Sequence, residues 1–138
     1  MAQQIGFELV DLDYYIEQKE GCSITDIFKY QGESYFRKVE KKALHEVSKQ
    51  ENLVISTGGG VPCFFDNMKF MSQNGLTIFL DVSVDELFKR MTQFNGIEER
   101  PMFKGKKEEQ IKKELEDKYN ARYPFYNEAQ IVLKGDNI

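Results

Sequence analysis

Two aspartates near the amino terminus have the residue type and the spacing that phosphoryl transfer needs. Asp11 and Asp13 lie two residues apart in VDLD, directly after an apolar run. At this spacing one carboxylate can organise Mg²⁺ while the other accepts a proton from a substrate hydroxyl. The structural alternative is that one aspartate caps the following helix and the other faces solvent. The pair alone leaves both interpretations open.

Three consecutive glycines follow a second strand-like run. ISTGGGVP, residues 55–62, contains Gly58, Gly59 and Gly60. Glycine loses the most backbone entropy on folding, so a triple indicates either unusual dihedrals or close approach of another group. The run matches neither GxxxxGK[ST] nor GxGxxG and is therefore a weak nucleotide signal. A tight strand-to-helix turn and a bare backbone floor for a small polar ligand both remain possible.

Arginine is scarce in this chain. Only four of the 19 basic residues are arginines, so each is a candidate for a site that needs a planar, bidentate donor. Arg37 lies beside the apolar stripe of a helix, where a salt bridge is the structural alternative. Arg100 precedes a proline, and there it could reach a transferring phosphoryl group. For Arg90 a surface charge is the simpler interpretation, and for Arg122 a favourable interaction with the helix dipole.

The hydrophobic pattern predicts the elements that position these residues. Strand-like runs cover residues 7–13, 52–56, 76–82 and 130–134. They alternate with helix-like segments, of which 33–50 has the strongest apolar stripe. This alternation predicts an α/β fold, a parallel sheet flanked by helices. Because ligands bind outside the carboxyl ends of parallel strands, we expect Asp11, Asp13 and the glycines to meet at one edge.

Length and composition exclude several classes of protein. A chain of 138 residues is one domain by length, and its net charge of −4 argues against a general nucleic-acid binder. No apolar run approaches a membrane span, and the two cysteines lack metal-ligand spacing. We therefore expect a cytoplasmic protein with a small-molecule partner and no membrane contact. The segment 94–107, rich in glycine and charge, is predicted to be mobile.

Seven stretches, taken in order, resemble the shikimate kinase family: VDLD, SITDIF, GESYFRKVE, ISTGGGV, TIFLDVS, ERPMF and ARYPFYNEA. The resemblance implies a P-loop kinase fold of the nucleoside-monophosphate-kinase type, with a five-stranded parallel sheet. It implies one domain, 1–138, with substrate-binding helices at 14–50 and a lid at 94–107. The implied reaction is ATP- and Mg²⁺-dependent phosphorylation of the 3-hydroxyl of shikimate to shikimate 3-phosphate, in chorismate and aromatic amino-acid biosynthesis. Family precedent favours a monomer.

The resemblance also implies roles for the substrate-side residues. Asp13 would bind the substrate hydroxyls and accept the proton, and Asp11 would hold a Mg²⁺-bound water. Arg37 and Arg122 would bind the shikimate carboxylate, which agrees with the bidentate geometry of arginine. The backbone of Gly58 to Gly60 would line the same pocket.

The nucleotide side departs from the family pattern. Arg100 would be the lid arginine that approaches the phosphates, and Arg90 would lie by the adenine. P-loop kinases also need GxxxxGK[ST] ahead of VDLD to bind the phosphates, and the sequence contains no such motif. We therefore expect a truncated kinase without its phosphate loop, its central first strand and its last helix, which has no ATP site and lowered stability. The alternatives are a shikimate-binding remnant without phosphoryl transfer, or another small-molecule kinase of this fold.

Overall fold

The computed structural model describes residues 1–93 and 107–138. These residues form two compact units, Met1–Phe70 and Met71–Ile138. The predicted lid, 94–107, lies outside the described residues except for Lys107. None of the helices in the described ranges combines the length and apolar character that a membrane crossing requires.

The first unit contains a parallel pair of strands and three complete helices. Its elements are β1 (Glu8–Asp11), α1 (Leu12–Glu20), α2 (Ile24–Gln31), α3 (Glu33–Val47) and β2 (Leu53–Ser56). Short 3-10 helices cover Gln3–Ile5 and Val61–Cys63, and α4 (Asn67–Asn74) begins in this unit. In the strand pair Asp11 lies opposite Ser56. Because the strands are parallel and in this register, their carboxyl ends lie at the same edge.

The core of the first unit is built from the apolar faces of its helices. Its buried side chains include Leu12, Ile16, Ile27, Phe36, Ala43, Leu44 and Val47. The spacing within α3 is the predicted apolar stripe, but this stripe also carries the buried carboxylate of Glu40. Between α1 and α3, the Tyr15 hydroxyl donates a 2.6 Å hydrogen bond to Glu46. This bond is the main reason that the pKa of Glu46 lies below its usual value.

The second unit contains a second parallel strand pair. Its elements are β3 (Ile78–Asp81), α5 (Val84–Gln93), α6 (Glu108–Tyr126) and β4 (Ile131–Lys134). Ile78 lies opposite Ile131. The Tyr119 hydroxyl of α6 donates a 2.7 Å hydrogen bond to Asp81 at the end of β3.

The α/β class with parallel strands is as the pattern predicts. The resemblance implies a five-stranded sheet, of which a chain without the central first strand is expected to keep four strands. The described residues contain four strands in two pairs, one pair in each unit. The predicted elements are also too long at their ends. The run 7–13 shortens to a strand over Glu8–Asp11 because Asp11 caps the helix that begins at Leu12.

Candidate active site at the carboxyl ends of β1 and β2

Asp11 ends β1 and caps α1. Its Oδ1 accepts hydrogen bonds from the backbone N–H groups of Asp13 at 3.0 Å and Tyr14 at 3.4 Å. The capping part of the structural interpretation is therefore confirmed for Asp11. These contacts use one carboxylate oxygen, so the cap leaves Oδ2 for a ligand.

Asp13 faces the glycine run that follows β2. Gly58 has φ +75°, a left-handed conformation that side-chain-bearing residues rarely adopt. A carbon added to Gly58 would lie 3.8 Å from Asp13 Oδ2. The ends of the two strands thus bring a carboxylate and bare backbone together, as the parallel topology predicts.

Gly60 is a glycine for a different reason. Its φ of −86° and ψ of −24° suit any residue, so conformation does not require glycine there. A carbon added to Gly60 would lie 2.8 Å from Arg37 Nη2 and 2.9 Å from Cζ, with Nη1 closer still. Gly60 therefore leaves the space that the guanidinium of Arg37 occupies.

Arg37 is held on α3 by charge and by aromatic contact. Its side chain is 11% exposed, and Nη1 donates a 3.0 Å hydrogen bond to Oε1 of Glu40, which is 3% exposed. Glu33 Oε1 lies 3.5 Å from Nε, and the Phe64 ring centroid lies 4.1 Å from Cζ. The buried Nε has no hydrogen-bond partner among the described residues. The predicted salt bridge of Arg37 is thus confirmed. The Nε–H group can still donate a hydrogen bond to a ligand.

A shallow cavity of about 360 Å³ borders Arg37 on the side of Phe64. Glu33, Ser34 and Phe65 complete its lining. Asp13 is not among the lining residues, so this cavity belongs to the aromatic side of the guanidinium.

The other arginines fall in the second unit or outside the described residues. Arg122 lies on α6, half-buried, and has no hydrogen-bond or ion-pair partner in the described part of the chain. Arg90 on α5 donates to Glu86 Oε1 at 3.0 Å and to the Asp136 carbonyl at 2.9 Å. Arg100 lies outside the described ranges. The roles of these three arginines stay predictions.

Two residues of the site, Glu40 and Phe64, are not among the candidates that the sequence indicates. Glu40 lies three residues after Arg37 on the same stripe, and an acidic residue at that spacing was a usable signal. The sequence holds no comparable signal for Phe64. Phe64 lies in the segment after β2 and Arg37 lies on α3, so their contact does not follow from their spacing in the chain. Over residues 1–93 and 107–138, no cluster of three or more acidic, histidine or cysteine side chains could hold a metal ion.

Comparison with known proteins gives a consistent picture. The family model for shikimate kinase matches residues 1–138. A shikimate kinase of Parabacteroides distasonis is 41% identical over 138 residues, which are all of this chain and 79% of that protein. A shikimate kinase of Persephonella marina is 39% identical over 136 residues, 99% of this chain and 78% of that protein.

Solved structures show the same likeness. The crystal structure of the shikimate kinase from Bacteroides thetaiotaomicron superposes with a TM-score of 0.90 at 40% identity, covering 98% of this chain and 76% of that one. The shikimate kinase from Acinetobacter baumannii in complex with shikimate gives a TM-score of 0.85 at 30% identity, covering 97% of this chain and 72% of that one. Sequence and structure together show that the chain belongs to the shikimate kinase family.

Proposed function

We propose that this chain binds shikimate and that, once a GxxxxGK[ST] phosphate loop is supplied ahead of it, it transfers the γ-phosphoryl group of ATP to the 3-hydroxyl, giving shikimate 3-phosphate. The observation that carries the proposal is the approach of Asp13 to Gly58 and of Arg37 to Gly60 at the carboxyl ends of β1 and β2. A carboxylate, bare backbone and a guanidinium in one region suit a small ligand with hydroxyl groups and a negative charge. The complex of the Acinetobacter baumannii relative with shikimate supports that choice of ligand.

Arg37 binds the substrate carboxylate in this proposal. Its Nη1 is engaged by Glu40, which leaves the Nε and Nη2 edge for a bidentate contact. Glu33 lies near Nε, but its side chain is 58% exposed and can move aside. Arg122 supplies the second guanidinium. A pair of arginines selects a carboxylate over a neutral ring, because burying an unpaired cation is costly.

Asp13 is the general base. As the 3-hydroxyl oxygen forms its bond to the γ-phosphorus, the bond from that phosphorus to the bridging oxygen breaks and ADP departs. The hydroxyl proton passes to a carboxylate oxygen of Asp13. Asp13 lies in the first turn of α1, directly after the end of β1.

The nucleotide side of the proposed site uses Asp11, Arg90 and Arg100. Mg²⁺ usually keeps several waters and takes one or two carboxylates together with substrate phosphates, so Oδ2 of Asp11, which the cap does not use, suits a water-mediated contact. When bound, the ion neutralises charge that develops on the phosphates. Arg100, which lies outside the described residues, has the role of approaching the phosphates in this proposal. Arg90 lies by the adenine, and its hydrogen bonds at the guanidinium edge leave its flat face available for stacking.

Incubation of the chain, extended at its amino terminus by a GxxxxGK[ST] loop, with shikimate and Mg²⁺-ATP, followed by mass spectrometry, tests this function. We expect a product that carries one added phosphoryl group. Calorimetry with shikimate alone separates the two halves of the proposal. Shikimate binding without product in the extended chain would contradict phosphoryl transfer, and absence of shikimate binding would contradict the proposed substrate.

A further inference from the structure

The guanidinium of Arg37 lies against an aromatic side chain that has no role in the reaction proposed above. Phe64 follows the short 3-10 helix Val61–Cys63, and its ring centroid lies 4.1 Å from Arg37 Cζ. Phe36, the neighbour of Arg37 on α3, lies further away, with 5.2 Å between its ring centroid and Cζ. At the shorter distance a flat guanidinium gains both stacking and cation–π attraction.

The segment that carries Phe64 is anchored in the core. Val61 and Asn67 are fully buried, and the Asn67 side-chain amide donates a 3.0 Å hydrogen bond to the Val61 carbonyl. The Cys63 N–H donates to the Gly60 carbonyl at 3.0 Å, and the Asn67 N–H donates to the Phe64 carbonyl at 3.3 Å. Gly60 and Phe64 therefore belong to one fixed segment, and both contact the same guanidinium.

We infer that Phe64 is a positioning residue for Arg37. Its ring supports the face of the guanidinium, the Gly60 backbone limits movement on another side, and Glu40 fixes Nη1. With these three contacts the Nε and Nη2 edge keeps one orientation before any ligand arrives, which lowers the entropic cost of binding a carboxylate. The inference rests on the proposed function, because the carboxylate ligand comes from it.

The first test needs no ligand. Ring currents of Phe64 shift the Arg37 Nε–H signal in a ¹H–¹⁵N spectrum, and Arg37→Lys assigns that signal. We expect Phe64→Leu and Phe64→Met to move it, and Phe64→Tyr to keep it close to its wild-type position. Phe65→Leu is the matched control, because Phe65 is the adjacent aromatic residue. Its ring centroid lies 5.0 Å from Lys41 Nζ. An unchanged Arg37 Nε–H signal in Phe64→Leu overturns the inference, whether or not shikimate binds.

The second test measures affinity by calorimetry with shikimate and with its methyl ester, which lacks the charge. We expect Phe64→Leu to weaken shikimate binding about 5- to 30-fold, to leave the ester nearly unaffected, and to be rescued by Phe64→Tyr. Equal losses for both ligands, or an equal loss in Phe65→Leu, would overturn the positioning role. A wild-type chain that binds no shikimate contradicts the proposed function instead, and the arginine signal then decides whether Phe64 holds Arg37.

Discussion

Arg37 and Glu40 form an ion pair with 3.0 Å between Nη1 and Oε1, on the face of α3 that otherwise packs apolar side chains. Both side chains are largely removed from solvent, at 11% and 3% exposure. Burying two charges is costly unless they are paired, so each residue makes the other tolerable in this position. The pair therefore ties the stability of the first unit to the orientation of its arginine.

Removing the carboxylate of Glu40 is expected to destabilise the chain. Glu40→Ala leaves the Arg37 charge without its buried partner, and we expect the free energy of unfolding to fall by about 3 kcal/mol. Glu40→Gln keeps an acceptor and should cost about 1–3 kcal/mol. Urea denaturation measures both values, with Lys42→Ala, an exposed change on the same helix, as the control. Equal stability of Glu40→Ala and wild type would show that the pair is not a buried ion pair in solution.

The glycines at 58 and 60 are expected to respond differently to alanine. Gly58→Ala forces a side-chain-bearing residue to φ +75° and should lower the free energy of unfolding by roughly 1–2 kcal/mol. Gly60→Ala fits the backbone but displaces the Arg37 guanidinium, so we expect shikimate affinity to fall about 10- to 100-fold.

The dependence of the Gly60 effect on Arg37 is the decisive control. In an Arg37→Ala background, Gly60→Ala should cause no further loss of shikimate affinity, because the displaced group is already absent. An additive loss in the double variant would mean that Gly60 acts on the ligand directly.

In the chain extended by a GxxxxGK[ST] loop, Asp13→Asn is expected to slow phosphoryl transfer while shikimate still binds. The amide can hydrogen-bond to a hydroxyl but accepts its proton poorly, so turnover should fall about 10²- to 10⁴-fold. Asp26→Asn is a matched control, because Asp26 is an exposed carboxylate in the first turn of α2. Near-normal turnover in Asp13→Asn would show that another group accepts the proton.

The hydrogen bond between Tyr119 and Asp81 predicts a loss of stability at high pH. This bond is the main cause that raises the pKa of Tyr119 from 10.0 to about 12. Because the folded chain holds the phenol proton more tightly than the unfolded chain, the contribution is complete below pH 10.0 and disappears as pH rises towards 12. Tyr119→Phe should therefore lower the free energy of unfolding by about 0.5–1.5 kcal/mol at neutral pH. Near pH 12 the same substitution should change it little.

Urea denaturation across this pH range checks the prediction, and Tyr123→Phe on the same helix is the control. The Tyr123 hydroxyl has no hydrogen-bond partner in the described part of the chain. A stability difference between wild type and Tyr119→Phe that does not change with pH would contradict the assignment of the pKa to this bond.

The sequence was most informative where periodicity and topology decide the outcome. The α3 stripe and the meeting of Asp13 with Gly58 follow from helical spacing and from the common edge of parallel strands. Asp11 was ambiguous because a helix cap and a site carboxylate need the same residue type, and the cap uses only one of its oxygens. The contact of Phe64 with Arg37 depends on tertiary packing, which no local pattern encodes.

The titration of the ¹⁵N-labelled chain with shikimate tests the central claim most directly. The claim is that the end of β1, the glycine run after β2 and Arg37 contact one small anionic ligand. We predict saturable shifts of the Asp13, Gly58 and Gly60 amides and of the Arg37 Nε–H signal, all described by a single dissociation constant. Shifts confined to other residues, or different dissociation constants for Asp13 and Arg37, would contradict the account.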